Sequence, residues 1–298
     1  MNIVEKAVPN IDNKPIVVKK KNVPQSTNTS LPLLYHTMLL TGKKGAGKTY
    51  KLVKLLQAYE KAKIIDNDNT EYGMRVIIIA PTANSGANDV YKALNSINEN
   101  DVYLEYSDSI LESILEDIKA KQSEYEEYLI YKKVYDKFLR IKKVENMEYD
   151  ELEILELHDY MPPKQVYGNI KPLVTWIIFD DLIGTGAFNR KAKSAISNLT
   201  IKHRHLRTNL IFTTQNYRQI PAIVRVNIDI LVLFKTGSDS ELKKIYDDLS
   251  GYLKYDQFLQ LYDYATMNKN DALIVVNNSM EGKGTNYYFN WDKQLFIE

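Results

Sequence analysis

Two groups of residues in this 298-residue chain have the types and spacing to act on a phosphate chain. The first is Gly42-Lys43-Lys44-Gly45-Ala46-Gly47-Lys48-Thr49, a G-x-x-x-x-G-K-[ST] pattern. Its glycines allow a tight wrap in which successive backbone N–H groups point at one anion. A helix starting at its end adds unpaired N–H groups and the positive end of a dipole. In such a loop the lysine, here Lys48, reaches the β- and γ-phosphates and the hydroxyl, here Thr49, binds Mg²⁺. The whole loop is therefore a candidate nucleotide-binding set. The second group is Asp180-Asp181, which closes the apolar run Trp176-Ile177-Ile178-Phe179. An aspartate at the tip of a buried strand holds Mg²⁺, usually through water. A carboxylate beside it orients and deprotonates an attacking water. Two acids also commonly just close a strand; the glycine loop roughly 130 residues earlier favours the chemical reading.

These groups need elements to bring them together. Five apolar runs supply candidate strands, at 36–41, 75–80, 173–179, 209–214 and 229–234. Continuous β-branched runs suit parallel strands buried on both faces, and helical patterns between them predict a doubly wound α/β sheet. The first run leads into the glycine loop, and Leu52, Val53, Leu55, Leu56 and Tyr59 then recur at helical spacing. The third ends in the paired acids. The run at 75–80 separates these two in sequence, which fits an NTPase with an additional central strand and an acid-activated water. The fourth run ends in Thr213-Thr214-Gln215-Asn216, and Gln215 or Asn216 at that tip would sense the γ-phosphate. The loop and the acids are expected to meet at neighbouring strand tips.

Residues 1–30 read as a flexible arm, with one short strand at 16–19, and 31–240 as the core. Residues 108–160 contain neither proline nor glycine; Ile110, Leu111, Ile114, Leu115, Ile118, Tyr125, Leu129, Phe138 and Leu139 mark one or two amphipathic helices inserted in that core. Residues 241–298 read as a C-terminal extension of the same domain, with a hairpin from 272–276 and 287–291.

Charged residues make up 26% of the chain and the formal net charge is only +1, so nucleic-acid binding must come from local patches. One such patch is legible. Residues 182–228 hold no aspartate or glutamate but carry Arg190, Lys191, Lys193, Lys202, Arg204, Arg207, Arg218 and Arg225. Uncompensated like charges repel, so the stretch anticipates an anion: a DNA backbone contacted without sequence readout, or the nucleotide of a neighbouring subunit reached by an arginine. A solvated basic face is the plain alternative. There is no cysteine, which excludes disulfides and thiolate metal sites. No signal peptide or long apolar span is visible, and a reducing, cytosol-like compartment is expected. Asn268-Lys269-Asn270-Asp271 matches the guanine-reading N-K-x-D pattern but precedes a strand instead of following one, and reads as chance. His203 and His205 lack a third ligand at zinc-like spacing.

Taken together, "LLTGKKGAGKT", "RVIIIAPTANSGANDVY", "WIIFDD" and "KHRHLRTNLIFTTQNYRQIP" resemble the viral genome-packaging ATPases of the FtsK/HerA superfamily, as found in poxviruses, other large eukaryotic DNA viruses and virophages. The resemblance covers roughly 33–235 and leaves the insert and the C-terminal segment uncovered. It implies a P-loop NTPase of the additional-strand, RecA-like type, using ATP and Mg²⁺. Lys48 and Thr49 would bind nucleotide and metal, Asp180 would serve the metal, Asp181 would activate water and Gln215 would sense the γ-phosphate. It further implies a homo-oligomeric ring, pentamer or hexamer, with active sites at subunit interfaces and double-stranded DNA in the channel. Arg204, Arg207, Arg218 and Arg225 are candidates to act in trans, with Arg218 favoured for its place just beyond the sensor strand. Arg190, Lys191, Lys193 and Lys202 are the candidate DNA contacts. The expected function is an ATP-driven translocase that fills a capsid, working at a capsid or portal-like vertex. The expected location is the viral factory in the host cytoplasm, or the virion. A helicase or plasmid-partition ATPase on the same core, or a nucleotide-gated assembly protein without motor activity, are the alternatives.

Overall fold

The five apolar runs form the middle of one sheet in the computed structural model, which describes residues 23–81, 90–141, 144–182, 184–188, 194–249, 253–277 and 285–297. They become β2 (Thr37–Thr41), β4 (Glu71–Ile79), β6 (Leu173–Asp180), β7 (Thr208–Thr214) and β8 (Ile230–Phe234). Also in the sheet are β1 (Gln25–Ser26), β3 (Ile64–Ile65), β5 (Ile97–Tyr103), β9 (Ala272–Asn277), β10 (Thr285–Phe289) and β11 (Lys293–Leu295). Across the sheet, β5-β4-β6-β7-β2-β8 run parallel. Then β9, β10 and β11 continue from β8 in antiparallel fashion, including the expected hairpin. The short β1 and β3 pair antiparallel beside the start of β4, so Gln25–Ser26, read as part of a free arm, are tied to the core. The expected strand at 16–19 lies outside the described residues.

Because the six central strands are parallel, all their C-terminal tips share one edge. β7 lies between β2 and β6, in register Thr41↔Thr214 on one side and Asp180↔Thr213 on the other. The loop-bearing and acid-bearing tips are therefore next-but-one rather than neighbours. The intervening strand is β7, the fourth run; the run at 75–80, which separates the two groups in sequence, becomes β4 and lies beyond β6, and the fold class is the expected one.

Side chains alternate between the two faces, as the pleat requires. Met38, Leu40, Val76, Ile78, Trp176, Ile178, Ile211 and Val232 pack with α1 (Lys48–Lys61). Leu39, Ile77, Ile79, Ile177, Phe179, Leu210, Phe212, Leu231 and Leu233 face a second layer of helices. That layer contains the start of α2 (Asp108–Ile141), then α5 (Ala195–Lys202), α6 (Ala222–Arg225), α7 (Asp239–Asp248) and α8 (Tyr255–Ala265). Burial on both faces explains why the strands read as unbroken apolar runs.

The insert is dominated by α2, whose 34 residues span about 50 Å at 1.5 Å per residue. Leu111, Ile114 and Ile118 enter the core, while Tyr131 and Val134 form a separate cluster with Met147 and with Leu155 of α3 (Tyr149–Leu157). The short α4 (Pro163–Tyr167) closes that cluster through Val166 and Tyr167. Leu129 and Leu139, read at helical spacing in amphipathic helices, are exposed, because this half of α2 has left the sheet. No helix among the described residues is long and apolar enough to cross a membrane.

Candidate active site

The glycine loop begins where β2 stops. A Cβ on Gly42 would lie 2.6 Å from the Phe234 Cβ at the end of β8, so no side chain fits between these two tips. Gly47 holds φ +90°, a left-handed value that glycine adopts without a steric cost, and its carbonyl accepts from Lys51 N at 2.9 Å as α1 starts. No acidic residue occupies the first turn of α1, so the helix terminus is left open to an anion. The Lys48 ammonium donates to the carbonyls of Gly42, at 2.6 Å, and Lys43, at 3.2 Å. Burial pulls this ammonium below the ordinary lysine range, and the nearby Asp181 and Asp180 pull it back.

Across β7, the two acids are held by its tip. Asp180 is buried; its Oδ1 accepts from the Thr213 hydroxyl and its Oδ2 from the Tyr91 hydroxyl, the latter at 3.0 Å. The Tyr91 hydroxyl also meets the Thr49 side chain, so a single buried oxygen touches both the loop hydroxyl and the strand-tip carboxylate. Burial first, then Asp180, pushes the Tyr91 hydroxyl well above its ordinary range, which keeps it a donor. Asp181 adopts a left-handed φ of +50°, uncommon for a residue with a side chain. That turn points its amide at Thr213 Oγ1, at 3.2 Å, and its Oδ2 accepts from Gln215 Nε2 at 2.6 Å. The site thus gathers Lys48, Thr49, Asp180, Asp181 and Gln215 from the tips of β2, β6 and β7. Two members escaped the sequence reading as role-bearing residues. Thr213 lies two positions before Gln215, hence on the same face of the strand, and this spacing could have found it. Tyr91 reaches Asp180 across 89 positions of chain, and no local pattern announces it.

The donor set suits a hard divalent cation. The Thr49 hydroxyl and the Asp180 carboxylate are both oxygen donors, the kind Mg²⁺ prefers, and both neighbour the Tyr91 hydroxyl; phosphate and water would complete the shell. No group of three or more His, Cys, Asp or Glu gathers among the described residues.

Residues 111–296, well over half of the chain, match the family described as Poxvirus A32 protein. The chain belongs to this poxvirus A32 family. That is the viral genome-packaging ATPase grouping to which the sequence resemblance pointed. The match takes in the helical insert from 111 onward and the C-terminal segment, which the resemblance had left uncovered. No curated protein matches the chain. Among solved structures, the genome-packaging NTPase B204 from Sulfolobus turreted icosahedral virus 2 in complex with AMP is 18% identical. The alignment covers 88% of this chain and 98% of that one, with a TM-score of 0.46. EssC (ATPases 2 and 3) from Geobacillus thermodenitrificans is 14% identical over 88% of this chain and 41% of that one, with a TM-score of 0.47.

The basic residues of this A32-family chain are less free than their sequence suggests. Arg204 pairs with Asp229 at 2.8 Å and Arg225 with Asp248 at 2.9 Å. Arg218 donates to the Ser240 carbonyl at 2.6 Å and remains exposed. The acid-free stretch is thus partly neutralised by acids just beyond its end. Arg204 and Arg207 precede β7, and Lys202 ends α5, so all three lie toward the sheet edge opposite the glycine loop. Arg190, Lys191 and Lys193 lie outside the described residues.

The 268–271 motif, read as chance, lies against the glycine loop: a Cβ on Gly47 would meet Asn270 at 3.2 Å. Its acid is nevertheless engaged. Asp271 accepts from Asn268 Nδ2 at 3.0 Å and from Asn290 Nδ2 at 2.7 Å, one bond to each oxygen. It anchors the turn.

Proposed function

We propose that this chain is an ATP-hydrolysing motor that moves double-stranded DNA into a viral capsid. The observation that carries the reading is the convergence of Thr49, Asp180, Asp181 and Gln215 around Lys48 at three strand tips, linked by the Tyr91 hydroxyl and by the Asp181–Gln215 bond. Membership of the poxvirus A32 family supports the viral setting.

In this reading the loop 42–49 wraps the phosphates, and Lys48 exchanges its two loop carbonyls for β- and γ-phosphate oxygens. Thr49 and Asp180 hold Mg²⁺, which when bound neutralises charge on the transferring phosphoryl group. Asp181 takes the proton of the attacking water. Gln215, bonded to Asp181, links the state of the γ-phosphate to the tip of β7 and to the one-turn helix Tyr217–Gln219 that follows. Arg218, on that turn, serves the nucleotide of a neighbouring subunit in a ring of five or six. Arg190, Lys191, Lys193 and Lys202 contact the DNA backbone, which suits a motor that accepts any sequence. The ring acts at a capsid or portal-like vertex, in the viral factory of the host cytoplasm or on the virion.

The test is ATP turnover with and without long duplex DNA over a range of salt. A motor shows stimulation that fades as salt rises and weakens the backbone contacts. Turnover indifferent to duplex DNA would point to a gated assembly protein. A preference for forks, with strand separation, would point to a helicase.

A further inference from the structure

The nucleoside end of the substrate has no assigned place in the site above, and a second cleft opens from the same loop. It has a volume of about 400 Å³, within the roughly 300–1,000 Å³ of small-molecule sites. Gly47 lines it, so its inner end is the glycine loop itself. One wall is the outer surface of α1, with Tyr50 and Lys54; the other is the C-terminal part of the sheet, with Asn270 and Trp291. Leu55 and Ala58 make part of the lining apolar.

Two of the lining residues, Lys51 and Asn290, hold these walls in place. Asn290 bonds Asp271 at 2.7 Å and the Ala272 amide at 3.0 Å, and Lys51 donates to the same Asn290, clamping the turn to α1. The polar groups of Asn290 and Asp271 are consumed as structure. Tyr50, by contrast, is an aromatic on an exposed helix face, 62% accessible. Trp291 is half-buried at a left-handed φ of +72°, a backbone turn that a tryptophan does not ordinarily take.

We propose that this cleft takes the base and ribose of the nucleoside triphosphate, with the base against Trp291 and Tyr50 and the ribose beside Asn270. An occupant whose anionic end sits in the loop must leave it past Gly47, and a flat, apolar-faced base is the chemistry that two aromatic side chains recognise. The side-chain amide of Asn270, pressed against Gly47, stands at the phosphate end of the cleft, within the reach of sugar hydroxyls. Asp271, whose two oxygens each accept one bond within the turn, is not among the described residues that line the cleft.

The inference rests on the phosphate-loop reading, and calorimetry with two probes separates them. Inorganic tripolyphosphate has the anionic end alone; ATP has both ends. In the full chain, Trp291→Ala and, independently, Tyr50→Ala are expected to weaken ATP by about tenfold, the scale of one lost base–aromatic stack, and to leave tripolyphosphate unchanged. Tyr50 is exposed and Trp291 half-buried, and an unchanged thermal midpoint verifies that each variant is folded. Unchanged ATP affinity in both variants overturns the cleft while the loop stands. Equal weakening of both probes overturns it too, since the effect would then lie in the loop. If the unaltered chain binds neither probe, the phosphate-loop reading fails and the cleft assignment falls with it.

Discussion

Asp181 carries the sharpest consequence at the scale of single residues. Its left-handed backbone is a conformation that asparagine tolerates nearly as well as aspartate, so Asp181→Asn should keep the fold and the turn. The amide retains a hydrogen-bonding group for Gln215 but cannot accept a proton from water. ATP binding should persist while turnover falls by about a hundredfold or more, the range of a lost general base. Normal turnover in this variant would remove Asp181 from that role. The glycine loop was legible in the sequence because its physics is local: glycines for the wrap, a lysine and a hydroxyl at fixed offsets. Asp180 and Asp181 were legible from the apolar run that they end. Tyr91 was not, because its contact with Asp180 exists only once β4 and β6 have paired and brought the two segments together.

Between elements, Arg75 ties the edge of the sheet to the insert. Its guanidinium donates to both oxygens of Asp101 on β5, at 2.5 and 2.9 Å, and to Asp117 on α2 at 2.5 Å. The arginine side chain is 12% exposed and that of Asp101 9%, so the pair is largely removed from water. Breaking one partner of a buried pair strands the other, which costs about 3–5 kcal/mol. Arg75→Met should lose stability on that scale in denaturant unfolding, and adding Asp101→Asn should recover part of it. A loss under 1 kcal/mol would place the pair in effective contact with water. The same region shows why sequence reading thinned out. β5 reads "INENDVY" and, as an edge strand with exposed positions, carries no apolar run to announce it. At the end of the sheet opposite the glycine loop, His36 before β2 and His203 after α5 are buried. Burial lowers both below the ordinary 6.5, against carbonyls of Leu33, Thr200 and Tyr35 and the charge of Asp229, with Arg204 adding to the lowering. A folded-state value below the unfolded one means that the unfolded chain binds more protons in between. Stability is therefore full above about pH 6.5 and falls as the pH drops below it. A thermal midpoint that stays flat from pH 7.5 to about 5 would contradict this, since the linkage relation requires a slope there.

For the whole molecule, a net charge of +1 hid the local distribution, and counting charges along the chain overstated it. Arg204 and Arg225 looked unpaired because Asp229 and Asp248 come after the acid-free stretch and meet them only in space. That pairing narrows the candidates to act in trans. Arg225, 14% exposed and bound to Asp248, is committed within its own subunit. Arg204 is likewise bound to Asp229. Arg218 is exposed, restrained by one backbone carbonyl, and sits two residues beyond Asn216, where the chain leaves the tip of β7. A ring built head to tail would present it to the next subunit, because each heterologous interface joins two different surfaces of the same chain. The consequence is measurable by mixing. Lys48→Ala subunits keep Arg218 but lose their own phosphate grip; Arg218→Ala subunits keep the grip but lose the donated arginine. Each variant alone should be inactive. In a mixed ring, an Arg218→Ala pocket flanked by a Lys48→Ala neighbour has every part, so DNA-stimulated ATP turnover should return and peak near equal mixing. No return at any ratio, with both variants assembled, would mean that Arg218 acts within its own subunit or not at all.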